Sequence, residues 1–169
     1  MRRIFHSFLI RSLLIMLIAS MGSIASIQPA QADGIDTYLR RYLQVTEPVP
    51  IKVNEQAETR LFSPDELSEG KTLFLENCMN CHVGGSNLPV PPITLSMENL
   101  KGATPPRDNV NALVAYLRHP TTYDGSDENF WCREVPETWL STEKVENLSA
   151  FLLRSAEKAR GWGTDTFGL

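Results

Sequence analysis

Cysteine is scarce in this chain. Three cysteines in 169 residues are too few for the disulfide framework of a small secreted domain, and the odd number leaves one without an internal partner. Basic charge is short as well. Sixteen lysines and arginines face 20 aspartates and glutamates, a net charge of −4, so the basic footprint that nucleic acid requires is missing. No apolar run reaches the roughly 20 residues that cross a bilayer; the longest charge-free one, Leu13 to Ile27, has 15. What remains is ordinary. An apolar fraction of 42% and a charged fraction of 21% exclude wholesale disorder and collagen-like or coiled-coil chains, and the length suits one domain.

Arg2, Arg3 and Arg11 lead into the apolar run, and Ala30-Gln31-Ala32 follows it with small residues at the two positions a signal peptidase reads. This pattern predicts a cleaved signal peptide over residues 1–32, with Asp33 as the mature start. An uncleaved anchor is the competing reading, for which the run is short. Removing residues 1–32 leaves 13 basic groups against 20 acidic ones, a net −7. Such a surface favours basic partners, at rates that fall as salt rises. Export also puts the cysteines outside the reducing cytosol.

Cys78-Met79-Asn80-Cys81-His82 is the strongest chemical signal. C-x-x-C-H is the attachment motif of haem c. Two thiols at this spacing add across the two vinyl groups of one haem, and the adjoining imidazole becomes the proximal iron ligand. A thioredoxin-type redox pair would need a βαβ pattern around it, and half a zinc site would need a second ligand pair. Neither is present in the sequence.

The flanks read as helices. Ser63-Pro64-Asp65-Glu66 is a capping box with proline in the first turn, and Leu67, Gly70 and Phe74 share one face up to Cys78. Gly70 costs about 1 kcal/mol relative to alanine within a helix, which a close helix crossing would justify. Ser141 caps a C-terminal helix from Thr142 to Arg160, with Val145, Leu148, Leu152 and Ala156 inward and Gly161 at its end. Asp108 to Arg118 predicts a third helix, closed by Pro120. Short helices are expected at Ile35 to Leu43 and Ser96 to Lys101, an exposed polar stretch at Asn54 to Arg60, and extended chain at Val49 to Val53 and Leu88 to Pro92. The Gly- and Phe-bearing helix that leads into the haem motif, with the C-terminal helix, resembles class I cytochromes c, in which two such helices cross. That resemblance implies an all-α, class I cytochrome c fold around one covalently attached haem c, over residues 63–169, with 33–62 as an N-terminal extension.

The sixth ligand sets the redox behaviour. Met97, His119 and Cys132 are the candidate donors beyond His82, with lysines and tyrosines as weak ones. Met97 suits core filling, and His119 ends a helix. Cys132 is the thiol left over after haem attachment, in an oxidising compartment where an exposed thiol would be oxidised. It is the favoured distal ligand. Thiolate donation stabilises ferric iron and lowers the potential, whereas a methionine raises it.

Ala103-Thr104-Pro105-Pro106-Arg107-Asp108-Asn109, the Pro120-Thr121-Thr122-Tyr123-Asp124-Gly125 turn and the Cys78 to Gly85 run resemble the cytochrome c-550 family of photosystem II over most of residues 60–160. The resemblance implies a monohaem protein of the thylakoid lumen in a cyanobacterium, soluble or peripheral on the membrane's lumenal side. The family's distal ligand is a histidine after the Tyr-Asp-Gly turn. Here that stretch has none, and Cys132 takes about its place. The ending from Gly161 to Leu169 also departs from the family's Gly-rich, Tyr-containing tail. The expectation is a c-550-like paralogue: a low-potential, one-electron carrier with His82/Cys132 ligation, no enzymatic activity, a redox-protein partner (photosystem II among the candidates) and no nucleic acid. A structural haem subunit of photosystem II, or a haem-based sensor, are the alternatives.

Overall fold

Short polar side chains start each α-helix among the described residues. In the computed structural model, which describes residues 34–88 and 93–164, the Asp36 carboxylate accepts from the N–H groups of Tyr38 and Leu39 at 2.8 and 3.2 Å and opens α1, Thr37–Tyr42. The expected leader, the prolines of the Leu88 to Pro92 stretch and the last five residues lie outside the described residues.

Two strands follow, β1 at Val49–Lys52 and β2 at Thr59–Phe62. They pair antiparallel with Val49 opposite Phe62 and Ile51 opposite Arg60. This hairpin corrects the all-α expectation, since the described residues form a mainly helical fold with one small sheet. Val49 and Ile51 alternate inward, the period a strand needs. The turn is closed by Asn54, whose Oδ1 accepts from Glu58 N at 3.1 Å and whose Nδ2 donates to Glu58 Oε2 at 2.6 Å. The polar stretch from Asn54 is largely exposed, but it is the tip and returning strand of a hairpin.

The capping box forms as expected. Ser63 Oγ accepts from Glu66 N at 3.2 Å, while Glu66 Oε2 accepts from Ser63 N at 2.7 Å, and α2 runs from Pro64 to Asn77. It packs across α5, Thr142–Lys158, which starts at Ser141. Gly70 lies at the crossing, where an added Cβ would collide with the Asn147 carbonyl and come within 2.9 Å of Phe151 Cβ. Between them in sequence come α3, Met97–Gly102, and α4, Val110–Arg118. The latter starts two residues later than expected, because Asn109 is its cap, accepting from Ala112 N at 3.0 Å. Asp108 instead pairs with Lys52 Nζ at 2.9 Å.

Helix α5 is buried more completely than its stripe of Val145, Leu148 and Leu152 implies, with every residue from Asn147 to Ser155 inside. Both α2 and α4 pack against it. The turn after α1 also closes on it, where Arg154 Nε donates to the Leu43 carbonyl at 2.9 Å. Leu39, Leu43, Val45, Phe62, Leu148 and Phe151 share one core. Each side chain of this size stabilises the fold by roughly 1.5–3 kcal/mol on burial. Trp162, beyond α5, stacks near Phe74 and Phe151 at ring distances of 5.4 and 6.0 Å and donates to the Leu95 carbonyl at 3.0 Å.

Candidate functional site

The Cys78 run begins where α2 stops. Cys78 is the C-cap, donating its N–H to Phe74 O at 2.9 Å, and the chain then turns tightly. Cys81 and His82 both donate to the Cys78 carbonyl, at 3.1 and 3.0 Å. That turn sets two thiols three residues apart beside an imidazole. No disulfide joins Cys78, Cys81 or Cys132.

His82 Nδ1 lies 3.2 Å from the Ser86 carbonyl oxygen. A carbonyl only accepts, so this contact places the ring proton on Nδ1 and leaves the Nε2 lone pair available to a metal. Burial lowers the imidazole's pKa, with the Ser86 contact opposing, and the neutral form is the one that ligates. The Ser86 turn is itself held. Gly163 N donates to Gly84 O at 2.8 Å and Leu95 N to Gly85 O at 2.7 Å. Gly85 has φ +81°, and its missing Cβ leaves room for the Trp162 ring, so both its conformation and its contact require glycine.

Cys132 sits in the segment between α4 and α5, and two arginines fasten that segment. Arg107 Nη2 donates to the Thr121 carbonyl and hydroxyl, both at 3.2 Å, and to Thr122 O at 2.6 Å. Its guanidinium lies 4.0 Å from the centre of the Tyr116 ring. Arg118 binds the carbonyls of Val135 and Leu140 and the Glu137 carboxylate. Asn129 Nδ2 donates to Tyr116 Oη at 3.1 Å. Burial raises the Cys132 pKa, opposed by the neighbouring Tyr116 hydroxyl and the Arg107 charge. Burial, then the charges of Cys132 and Cys81, push Cys78 up to about 11. Met97 packs against the hydrophobic core and lines a groove of about 370 Å³ with Pro50, Ile51 and Leu153, while His119 is an exposed cap of α4.

Among the described residues no group of three or more His, Cys, Asp or Glu side chains forms a cage for a metal ion. The donors suit instead a metal that brings its own equatorial ligands. A haem c fits this set: paired thiols to hold it, an oriented imidazole to bind its iron, and apolar side chains beside the motif, Val83 at 46% and Leu88 at 62% exposure, for the macrocycle to cover. The sequence marks the motif and makes Cys132 a candidate but gives no role to Arg107, Tyr116 or Asn129, since no local pattern marks residues that fasten a distant loop.

A mainly helical shell in which the first long helix crosses the last and delivers a C-x-x-C-H turn is that of a c-type cytochrome. Within that class, the chain belongs to the cytochrome c-550 domain family, whose pattern matches residues 36–168; the family implies a c-type haem. It is 52% identical over 159 residues to a cytochrome c-550-like protein of Trichodesmium erythraeum, covering 94% of this chain and 96% of that one. It is 46% identical over 129 residues to the photosystem II extrinsic protein V of Gloeobacter violaceus, covering 76% and 69%. Its fold superimposes on the crystal structure of the PsbV2 cytochrome from Thermosynechococcus elongatus with a TM-score of 0.76 at 54% identity, covering 78% of this chain and all of that one.

Proposed function

We propose that the mature chain is a monohaem, low-potential cytochrome that carries single electrons in the thylakoid lumen of a cyanobacterium. The observation that carries this reading is the His82–Ser86 contact, which prepares Nε2 of the motif histidine for iron. Cys78 and Cys81 would hold the haem through thioethers, His82 would ligate its iron, and Cys132 would supply a second iron ligand. When bound, the haem supplies a one-electron couple whose potential follows its axial ligands. Cys132 as thiolate adds a negative charge that favours the ferric state. Each ~59 mV corresponds to about 1.4 kcal/mol for one electron, so a preference of several kcal/mol lowers the potential by hundreds of millivolts. Tyr116 and Arg107 hold the Cys132 segment in place. Nothing in this role asks a side chain to move a proton, and the protein acts as a carrier without enzymatic turnover.

A second reading, an extrinsic haem subunit of photosystem II, draws on the kinship to the Gloeobacter violaceus protein. Co-purification with the photosystem and loss of oxygen evolution on deletion would favour it. For the carrier, expression with a leader in a host competent in cytochrome maturation is the test. The product should be pigmented, with one haem that stays attached under denaturing conditions and is lost in Cys78→Ala/Cys81→Ala. A colourless product would refute the assignment.

A further inference from the structure

The segment from Pro120 to Cys132 holds three carboxylates, Asp124, Asp127 and Glu128, and no lysine or arginine. All three are exposed, and none joins an ion pair among the described residues. Asp124 is a fixed anion: Thr122 Oγ1 at 2.6 Å, Ser126 Oγ at 2.8 Å and Ser126 N at 3.2 Å all donate to it. Next to this acidic turn, Phe130 is 86% and Trp131 76% exposed, more than any other large apolar side chain described.

A tied loop presents these rings. Thr121 bridges to Glu128, Asn129 N donates to Pro120 O at 2.9 Å, and Trp131 N donates to Asn129 Oδ1 at 3.0 Å. Large aromatic surface held in water by an ordered backbone is the usual mark of an interaction site. Aromatic anchors with a charged rim are the anatomy of a protein interface, in which the rim steers and the anchors hold. An acidic rim repels anionic lipid and nucleic acid and attracts a basic protein.

We propose that Phe130 and Trp131, rimmed by Asp124, Asp127 and Glu128, form the docking surface for a basic redox protein. The proposal rests on the electron-carrier reading above. Trp131 is peptide-bonded to Cys132, so a partner seated here lies one residue from the sulfur assigned to the iron. In the exchange one electron leaves the reduced protein and reduces the ferric partner; no bond is made or broken and no proton moves.

The test is stopped-flow oxidation of the reduced holoprotein by ferric horse-heart cytochrome c, a lysine-rich probe, with hexacyanoferrate(III) as a small control oxidant. The second-order rate with cytochrome c should fall at least about tenfold between ~10 and ~200 mM salt. Phe130→Ser/Trp131→Ser should slow that reaction by about tenfold, and Asp127→Asn/Glu128→Gln should flatten its salt dependence. Absorption spectra and control rates should stay unchanged. Wild-type rates with cytochrome c in both variants would overturn the docking surface alone. An altered haem spectrum in Phe130→Ser/Trp131→Ser would overturn it too, by making these rings a cover for the haem. So would a wild-type dimer that the same variant abolishes, since the face would then belong to a second copy. A reduced protein that neither oxidant oxidises would remove the carrier reading, and the proposal with it.

Discussion

Gly70 of α2 meets the Asn147 backbone of α5 with no space between them for a Cβ. The glycine gives up about 1 kcal/mol of helix propensity so that α2 and α5 can close on each other. Gly70→Ala should therefore destabilise the protein by about 1–3 kcal/mol, the usual cost of overpacking, despite its better helix propensity. The shift of the guanidinium chloride midpoint measures this; a variant as stable as the parent would show that the crossing has slack.

Asp36 and Lys71 form a second long-range tie, with Nζ 2.6 Å from Oδ2. Burial pushes the Asp36 pKa up, but the Lys71 bond and charge and the two capping N–H groups hold it below its usual 3.8. A carboxylate depressed in the folded state contributes stability that is present above its unfolded pKa and lost as pH falls through the folded one. Asparagine caps helices about as well as aspartate, so Asp36→Asn isolates the charge. It should lose roughly 0.5–1 kcal/mol at neutral pH, and the gap to the parent should close as pH drops below about 4. Denaturant titrations at several pH values would show this; a pH-independent gap would assign the loss to the cap.

Arg107 bridges Thr121 and Thr122 with one nitrogen while its plane lies over Tyr116. Lysine keeps the charge but lacks the planar fork. Arg107→Lys should cost about 2 kcal/mol, the scale of bonds to a charged donor, and amides from Thr121 to Cys132 should exchange faster while those of α5 do not. Uniform acceleration across the chain would contradict a local role.

Signals confined to a few adjacent residues could be read directly from the sequence. The Ser63 capping box, the Ser141 cap, the small residue at Gly70 and the C-x-x-C-H run each fold as their local chemistry dictates. The hairpin did not show itself because proline interrupts β1 at Pro50 and exposed polar residues fill the stretch from Asn54; its pairing is fixed by packing on the core. Burial around all of α5 was hidden for the same reason, since Asn147, Ser149 and Arg154 look like solvent-facing residues until neighbouring elements cover them. Cys132 stood out through the odd cysteine count and its place after the Tyr-Asp-Gly turn. The side chains that fasten it, Arg107 and Tyr116, come from before and within another helix, and only the folded chain joins them.

The proposed pairing of His82 and Cys132 on the haem iron is tested most directly by electron paramagnetic resonance of the ferric protein beside its Cys132→Ser variant. The parent should give a rhombic low-spin signal with the narrow g-spread of thiolate ligation, and the variant should lose it. Identical spectra from the two proteins would remove Cys132 from the iron.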